Sequence, residues 1–353
     1  MKVQFLLISL LLCCFLYSCH FTGGKSESHR TIEKWAGLHL INHNSDADID
    51  RLVRNLPQLA DIGINTLIFE VDYNFNFQSH PELRGGDNPI TTEGANRLVE
   101  ACLENNIRLI PEFQCLGHQS WARETFPLLT VYPELDLTPG AFPDNDSIYC
   151  REWDPLNPKV YEIVFPLLDE IIDAFKAEAM HVGMDEVFLL GHELSPSTFG
   201  KDPAELYAKA VNDIYGHLVT KRGVEMLMWA DRLIDGNIYN YGEWEAAVNG
   251  TAPAIDMIPK DIIMCDWHYE QRDSYPSIPM FLNKGFRVLP TGWRNTEATK
   301  ALINESFNQN NPRMLGHLFS TWGATRKGIM NFEPMLKGLD LIQQLESKQL
   351  TLP

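Results

Sequence analysis

The chain has 353 residues, 44% hydrophobic and 10% aromatic, enough to bury a large core in one domain. Acidic side chains number 47 against 29 basic ones, a net charge of −18, which argues against nucleic acid as a partner because phosphate binding requires basic patches. The balance suits a neutral or cationic ligand, or simply a soluble surface.

The first residues read as an export signal. Met1 and Lys2 precede an apolar run from Phe5 to Tyr17, too short for a membrane span and of signal-peptide length. The run ends on Leu16-Tyr-Ser-Cys19, the form of a bacterial lipobox, so residues 1–18 are expected to be removed and Cys19 lipidated. Residues 19–30 would be a polar tether. The mature chain is then expected to be anchored to a membrane outside the cytoplasm, periplasmic or at the cell surface, with no spanning helix. An ordinary secretory signal with Cys19 as a bystander is the alternative. Cys102, Cys115, Cys150 and Cys265 show no CxxC or Cys/His spacing, so neither a disulfide framework, a metal nor a cofactor is expected.

From residue 31 strand and helix patterns alternate. Strands are predicted over Trp35–Ile41, Asn65–Val71, Arg108–Phe113, Ala179–Glu186, Glu225–Trp229, Ile262–Trp267, Arg287–Pro290 and Met314–Ser320. Helical patterns cover Ala47–Ile62, Thr92–Asn105, Lys159–Phe175, Pro203–Lys221, Thr296–Phe307 and Met335–Leu345. A proline-bearing stretch from Gln119 to Pro158 and an insert from Asp235 to Pro259 read as irregular. Eight buried-type strands with intervening helices predict a single (β/α)8 barrel over residues 31–353. An open doubly wound sheet would want a glycine-rich phosphate loop after the first strand, which Trp35-Ala-Gly-Leu-His-Leu-Ile-Asn42 does not supply.

A barrel keeps its chemistry at the C-terminal ends of its strands. Those ends carry Glu70 and Asp72 on strand two, Glu112 and His118 on strand three, and Asp185 and Glu186 on strand four. Strand five adds Trp229 and Asp231, strand six Trp267 and Tyr269, strand seven Trp293 and Arg294, and strand eight Trp322. Neighbours in a regular strand face opposite ways, so Asp185 and Glu186 can share a substrate only if the strand is ending there. A helix-capping Asp-Glu pair is the structural alternative. Four tryptophans at four strand ends are poor barrel filling, since barrel interiors favour branched aliphatics. Aromatic walls around carboxylates suit a sugar ring, and an oligosaccharide or glycoconjugate is the expected substrate.

The stretch His181-Val-Gly-Met-Asp-Glu-Val187 resembles the His-x-Gly-x-Asp-Glu signature of the family 20 glycoside hydrolases, the β-N-acetylhexosaminidases. Ile110-Pro-Glu-Phe-Gln-Cys-Leu-Gly-His118 is similar to that family's Pro-Glu…Gly-His segment, and Met228-Trp-Ala-Asp231 to its Trp-x-Asp. Thr66–Asp72 and Asp185–Gly191 look closest to the hexosaminidase D type, which lacks the usual N-terminal accessory domain. The resemblance implies a retaining, substrate-assisted mechanism in which the substrate's acetamido oxygen attacks C1. Glu186 would be general acid and base, Asp185 would hold the acetamido N–H, and His118 would support Glu186 with Asp72 or Glu70 beyond it. Tyr269 is a candidate donor to the acetamido carbonyl. The family's arginine at the start of strand one is matched by Ala36, so hydroxyl recognition is expected from Asp231, Arg294 or Glu112. Two other readings stay open: a glycosidase of different specificity using Glu112 or Glu70 as second carboxylate, and a catalytically silent sugar-binding lipoprotein.

Overall fold

The computed structural model describes residues 34–121, 124–141, 150–323 and 328–350. The expected signal segment, Cys19 and the tether lie outside the described residues. Nine strands form one parallel sheet: β1 (Trp35–Leu40), β2 (Thr66–Glu70), β3 (Arg108–Cys115), β4 (Ala179–Gly183), β5 (Glu225–Trp229), β6 (Ile263–Cys265), β7 (Arg287–Val288), β8 (Thr291–Gly292) and β9 (Gly316–Ser320). β7 and β8 are two halves of the seventh barrel strand, parted at Leu289-Pro290, where proline has no amide hydrogen for the ladder. β7 pairs with β6, β8 pairs with β9, and β9 pairs with β1, so the sheet closes on itself. This is the (β/α)8 barrel expected from the alternation of patterns.

Because every strand is buried on both faces, the core divides in two. Ile68, Ile110, Ala179, Leu227, Ile263, Leu289 and Leu318 form a cluster inside the barrel. A larger cluster joins the outer strand faces to the helices, with Leu38, Leu67, Phe69, Val182 and Met228 facing Leu98, Leu167, Ile171 and Val211. The helices start where polar caps allow it. Ser45 caps Asp46–Val53 by accepting from Asp48 N–H, and Thr91 caps Thr92–Glu104 by accepting from Gly94 N–H. Asn157, Asp202 and Asn295 do the same for Pro158–Phe175, Pro203–Tyr215 and Thr296–Asn308. Among the described residues no helix is long and apolar enough to cross a membrane.

Two expectations change, while the insert after β5 is irregular as expected. Strand four stops at Gly183 instead of Glu186, because Gly183, Met184 and Glu186 take φ values of 64°, 75° and 50°, outside the extended region. β3 runs two residues further than expected, to Cys115. The insert after β5 contains only the short helices Gly236–Tyr239 and Gly242–Glu245 and a 3₁₀ turn, Ala252–Asp256, where a full outer helix would stand.

The β9–β1 seam depends on Gly316, at φ 141°; a Cβ there would lie 2.1 Å from the carbonyl oxygen of Trp35. Gly316→Ala is therefore expected to lower stability by at least about 2 kcal/mol, read as an earlier urea midpoint at unchanged m-value. A midpoint equal to that of the wild type would mean that the close approach at this seam is dispensable.

Candidate active site

The acids Asp185 and Glu186 follow directly on the end of β4. The left-handed backbone at Met184 and Glu186 turns consecutive side chains to one side of the chain. Asp185 Oδ2 lies 3.3 Å and Glu186 Oε2 3.2 Å from the same atom, His118 Nε2. The helix-capping alternative fails, since the next helix begins at Pro203 and is capped by Asp202. Asp185 is almost fully buried, while Glu186 keeps part of its side chain in solvent. Burial opposes charge on both His118 and Asp185, but each outweighs that cost for the other: His118 is raised well above the usual imidazole range and Asp185 is lowered. Both shifts favour an imidazolium beside a carboxylate, with Glu186 against the same ring.

The floor of the site is a second polar layer. Glu112 is completely buried, 2.6 Å from His39 Nε2 and 2.9 Å from His181 Nδ1. Burial works against its charge, yet the two imidazoles hold it below the usual carboxylate range. The Trp229 ring covers this layer, 5.2 Å from the His39 ring and 4.5 Å from that of His181, and is itself fully buried. Neither Glu112 nor Trp229 therefore reaches a substrate, which corrects their expected binding role; both support the floor.

Asp231 is corrected in the same way. Its Oδ2 accepts from the backbone N–H of Glu186 at 3.0 Å and from Arg232 Nε at 2.6 Å, and its Oδ1 accepts from Trp267 Nε1 at 3.2 Å. With 1% of its surface exposed it holds the proton-donor candidate's backbone rather than a sugar hydroxyl. Ala36, the residue matched to the family's arginine, does not stand at the mouth. It lies near the N-terminal end of β1, paired with His317, on the far side of the barrel from the mouth.

The groups with access are Glu186, Tyr269, Trp293, Trp322, Glu70 and Asp72, all partly exposed. Tyr269 stacks on Trp267 at 4.8 Å and meets Trp293 at 5.2 Å, and its hydroxyl accepts from Trp322 Nε1. Burial raises its phenol well above the usual range, so it stays a donor. Arg294 lies over the Trp293 ring at the exposed rim. Asp72 accepts from Gln114 N–H at 2.7 Å, and burial lifts its carboxyl to about 7. Glu70, beside it, is raised well above the usual carboxylate range by burial and by Asp72. A cleft of about 1070 Å³ runs from Gln114, His118 and Trp322 over the loops of β1 to β3, bordered by Asn42, Asn74 and Trp121.

Several further residues hold the site together through contacts that the local sequence does not show. Trp121 sits in an irregular ribbon and stacks on His118 at 5.3 Å. Arg232 bonds to the carbonyls of Glu243, Trp244 and Ala246, and Asn249 to that of Val187, which tie the insert to the acid loop. From that insert Glu245 accepts the backbone N–H of Tyr269 at 3.0 Å and sits 2.8 Å from His268 Nδ1; His268 Nε2 is 3.1 Å from Asp266. His118, Asp185 and Glu186 also present ligand atoms within 4.8 Å of one another, a set that could hold a metal ion as well as handle a proton.

Residues 38–296 match the model of the catalytic domain of glycosyl hydrolase family 20. The chain belongs to that family. A β-hexosaminidase of Emericella nidulans is 23% identical over 285 residues, 72% of this chain and 42% of the relative. One from Vibrio furnissii is 26% identical over 224 residues, 62% and 33% of the two chains. This family 20 chain thus spans less than half the length of these relatives. In fold it is similar to the exo β-N-acetylglucosaminidase of Vibrio harveyi, with a TM-score of 0.58 and 15% identity over 90% of this chain and 57% of that one. Dispersin B gives 0.53 and 15%, covering 88% and 99%.

The Glu245–His268–Asp266 cluster makes stability depend on pH. Burial opposes the charged ring, but Asp266 and Glu245 raise His268 to about 9, above its unfolded value of 6.5. The contribution is present in full below about pH 6 and is lost as pH rises through about 9. Between pH 7 and 10 the wild type is expected to lose roughly 3 kcal/mol more stability than His268→Gln, measured by urea unfolding at each pH. Parallel losses in the two proteins would remove His268 from the account.

Proposed function

We propose that this family 20 protein is a retaining glycosidase that removes β-linked N-acetylhexosamine, with the substrate's own acetamido oxygen as nucleophile. One observation carries the reading: the two acids of the mouth converge on a single imidazole nitrogen, at 3.3 and 3.2 Å. Two-carboxylate glycosidases hold their acids about 5–9.5 Å apart with the sugar between them. Acids gathered on one side of the bond leave the nucleophile to the substrate, an arrangement known for this family.

Glu186, the more accessible acid, donates its proton to the glycosidic oxygen as the C1–O bond breaks and the acetamido carbonyl oxygen bonds to C1. Asp185 accepts the acetamido N–H and stabilises the positive charge of the resulting oxazolinium, which its ionised form suits. Tyr269 donates to the acetamido carbonyl. Glu186 then takes a proton from water, whose oxygen attacks C1 and reopens the ring. Trp293, Trp322 and Tyr269 pack the C–H faces of the sugar. The cleft of about 1070 Å³ that meets the site at His118 and Trp322 leaves room for further sugar units beside it. The competing reading with a protein nucleophile loses support from both remaining acids, as Glu112 is sealed and Glu70 is kept toward its neutral form by burial.

Initial rates on aryl β-glycosides of GlcNAc, GalNAc, glucose and galactose test the proposal. Release from the N-acetylated pair alone is expected; equal cleavage of the plain hexosides would overturn the acetamido mechanism. Glu186→Gln is expected to lower kcat by about 10²–10⁴ while product binding is retained, and Asp185→Asn to lose rate chiefly on N-acetylated substrates. Near-native turnover by Glu186→Gln would exclude it as the acid. We also propose that Cys19 carries a lipid anchor: Cys19→Ala is expected to move the mature protein from the membrane to the soluble fraction, and unchanged fractionation would reject the anchor.

A further inference from the structure

We propose that Gln114 is a positioning residue that holds the Asp185 carboxylate turned toward the acetamido group; this rests on the function proposed above. The β3–β4 ladder carries the first observation. Glu112 pairs with His181 and Cys115 with Gly183, so β3 advances three residues while β4 advances two. The extra residue is a bulge, a device that re-aims a side chain beside an active site. It turns the Gln114 side chain across β4, over Gly183.

Gly183 exists to admit it. A Cβ at 183 would lie 1.3 Å from Gln114 Oε1 and 2.5 Å from Cδ, and the residue sits at φ 64°. The central glycine of the His-x-Gly-x-Asp-Glu stretch thus makes the space in which this amide lies. The backbone of Gln114 is clamped on both sides. Its N–H donates to Asp72 Oδ1 at 2.7 Å, and its carbonyl accepts from Gln119 Nε2 at 3.1 Å. Gln119 is itself fixed, since its Oε1 accepts from the Tyr73 hydroxyl at 2.6 Å. With its backbone held in this way, Gln114 Nε2 donates to Asp185 Oδ1 at 3.0 Å. The opposite amide orientation would set a carbonyl oxygen against a carboxylate, so the donor assignment follows from the neighbour.

The chemistry follows from the residue type. Asp185 must accept a hydrogen bond from the substrate, so it must stay ionised in a site that burial makes hostile to charge. His118 serves one of its oxygens and Gln114 the other. An amide cannot titrate, so this donor persists at every working pH. A carboxyl group of the same size could donate only while protonated, and once ionised it would repel Asp185.

Gln114→Glu tests this through its pH profile. At pH 5 the variant is expected within about tenfold of wild-type kcat; as pH rises it loses a further 10²-fold or so, on a limb that the wild type lacks, with KM little changed. Gln114→Met, close in length and without charge or donor, avoids any folding penalty from a buried acid. It is expected to lose about 10–100-fold in kcat at all pH values, again with KM retained. A pH profile of Gln114→Glu parallel to that of the wild type, or a Gln114→Met kcat equal to it, would overturn the positioning role. A wild type that releases no N-acetylhexosamine from the aryl glycosides would instead reject the function on which the proposal rests.

Discussion

Two carboxylates adjacent in the chain face one point only where the backbone abandons the strand, and the mouth of this barrel is arranged around that requirement. Left-handed torsions at Gly183, Met184 and Glu186 turn β4 aside before the pleat can send the acids to opposite faces. Such torsions cost energy in non-glycine residues and persist only where the surroundings fix them. Here Asp231 grips the Glu186 amide, Gln114 grips the Asp185 carboxylate, and His118, itself at φ 49°, bridges both acids. The strain and its restraints meet at the same few residues.

The surroundings of the acid loop come largely from the irregular insert after β5. Where a barrel would usually place an outer helix, this chain places short turns whose carbonyls are collected by the buried Arg232 and whose Glu245 fixes Tyr269. Arg232 is paired with Asp231, so the acid loop, the Trp267 indole and the insert share one buried ion pair. A fully buried charge is tolerated only when paired and hydrogen-bonded, which explains why these contacts occur together. Below them, the His39–Glu112–His181 layer seals the mouth from the apolar barrel interior.

The electrostatics of the site divide its acids by role. Asp185, beside the His118 ring, and Glu112, between two imidazoles, are held below the usual carboxylate range against burial. Glu70 and Asp72 are pushed toward neutrality by burial and by neighbouring acids, Glu112 and Asp185 among them. The acids of the mouth therefore differ in their tendency to carry charge, according to whether an imidazole lies against them.

The sequence by itself determined the barrel, because strands buried on both faces read as short apolar runs and their alternation with amphipathic helices leaves few topologies. It also located Asp185, Glu186 and His118, whose residue types at strand ends have few structural uses. Local pattern could not tell which strand-end residues face substrate. Glu112, Trp229 and Asp231 looked as available as Tyr269 or Trp322, yet partners distant in sequence, His39, His181 and Arg232's carbonyl contacts, bury them. Nor could it reveal Gln114, since its role depends on a β3 bulge set by pairing with β4, and a bulge is a property of two strands together. Only tertiary structure decided these, because burial and register are fixed by neighbours that sequence proximity does not name.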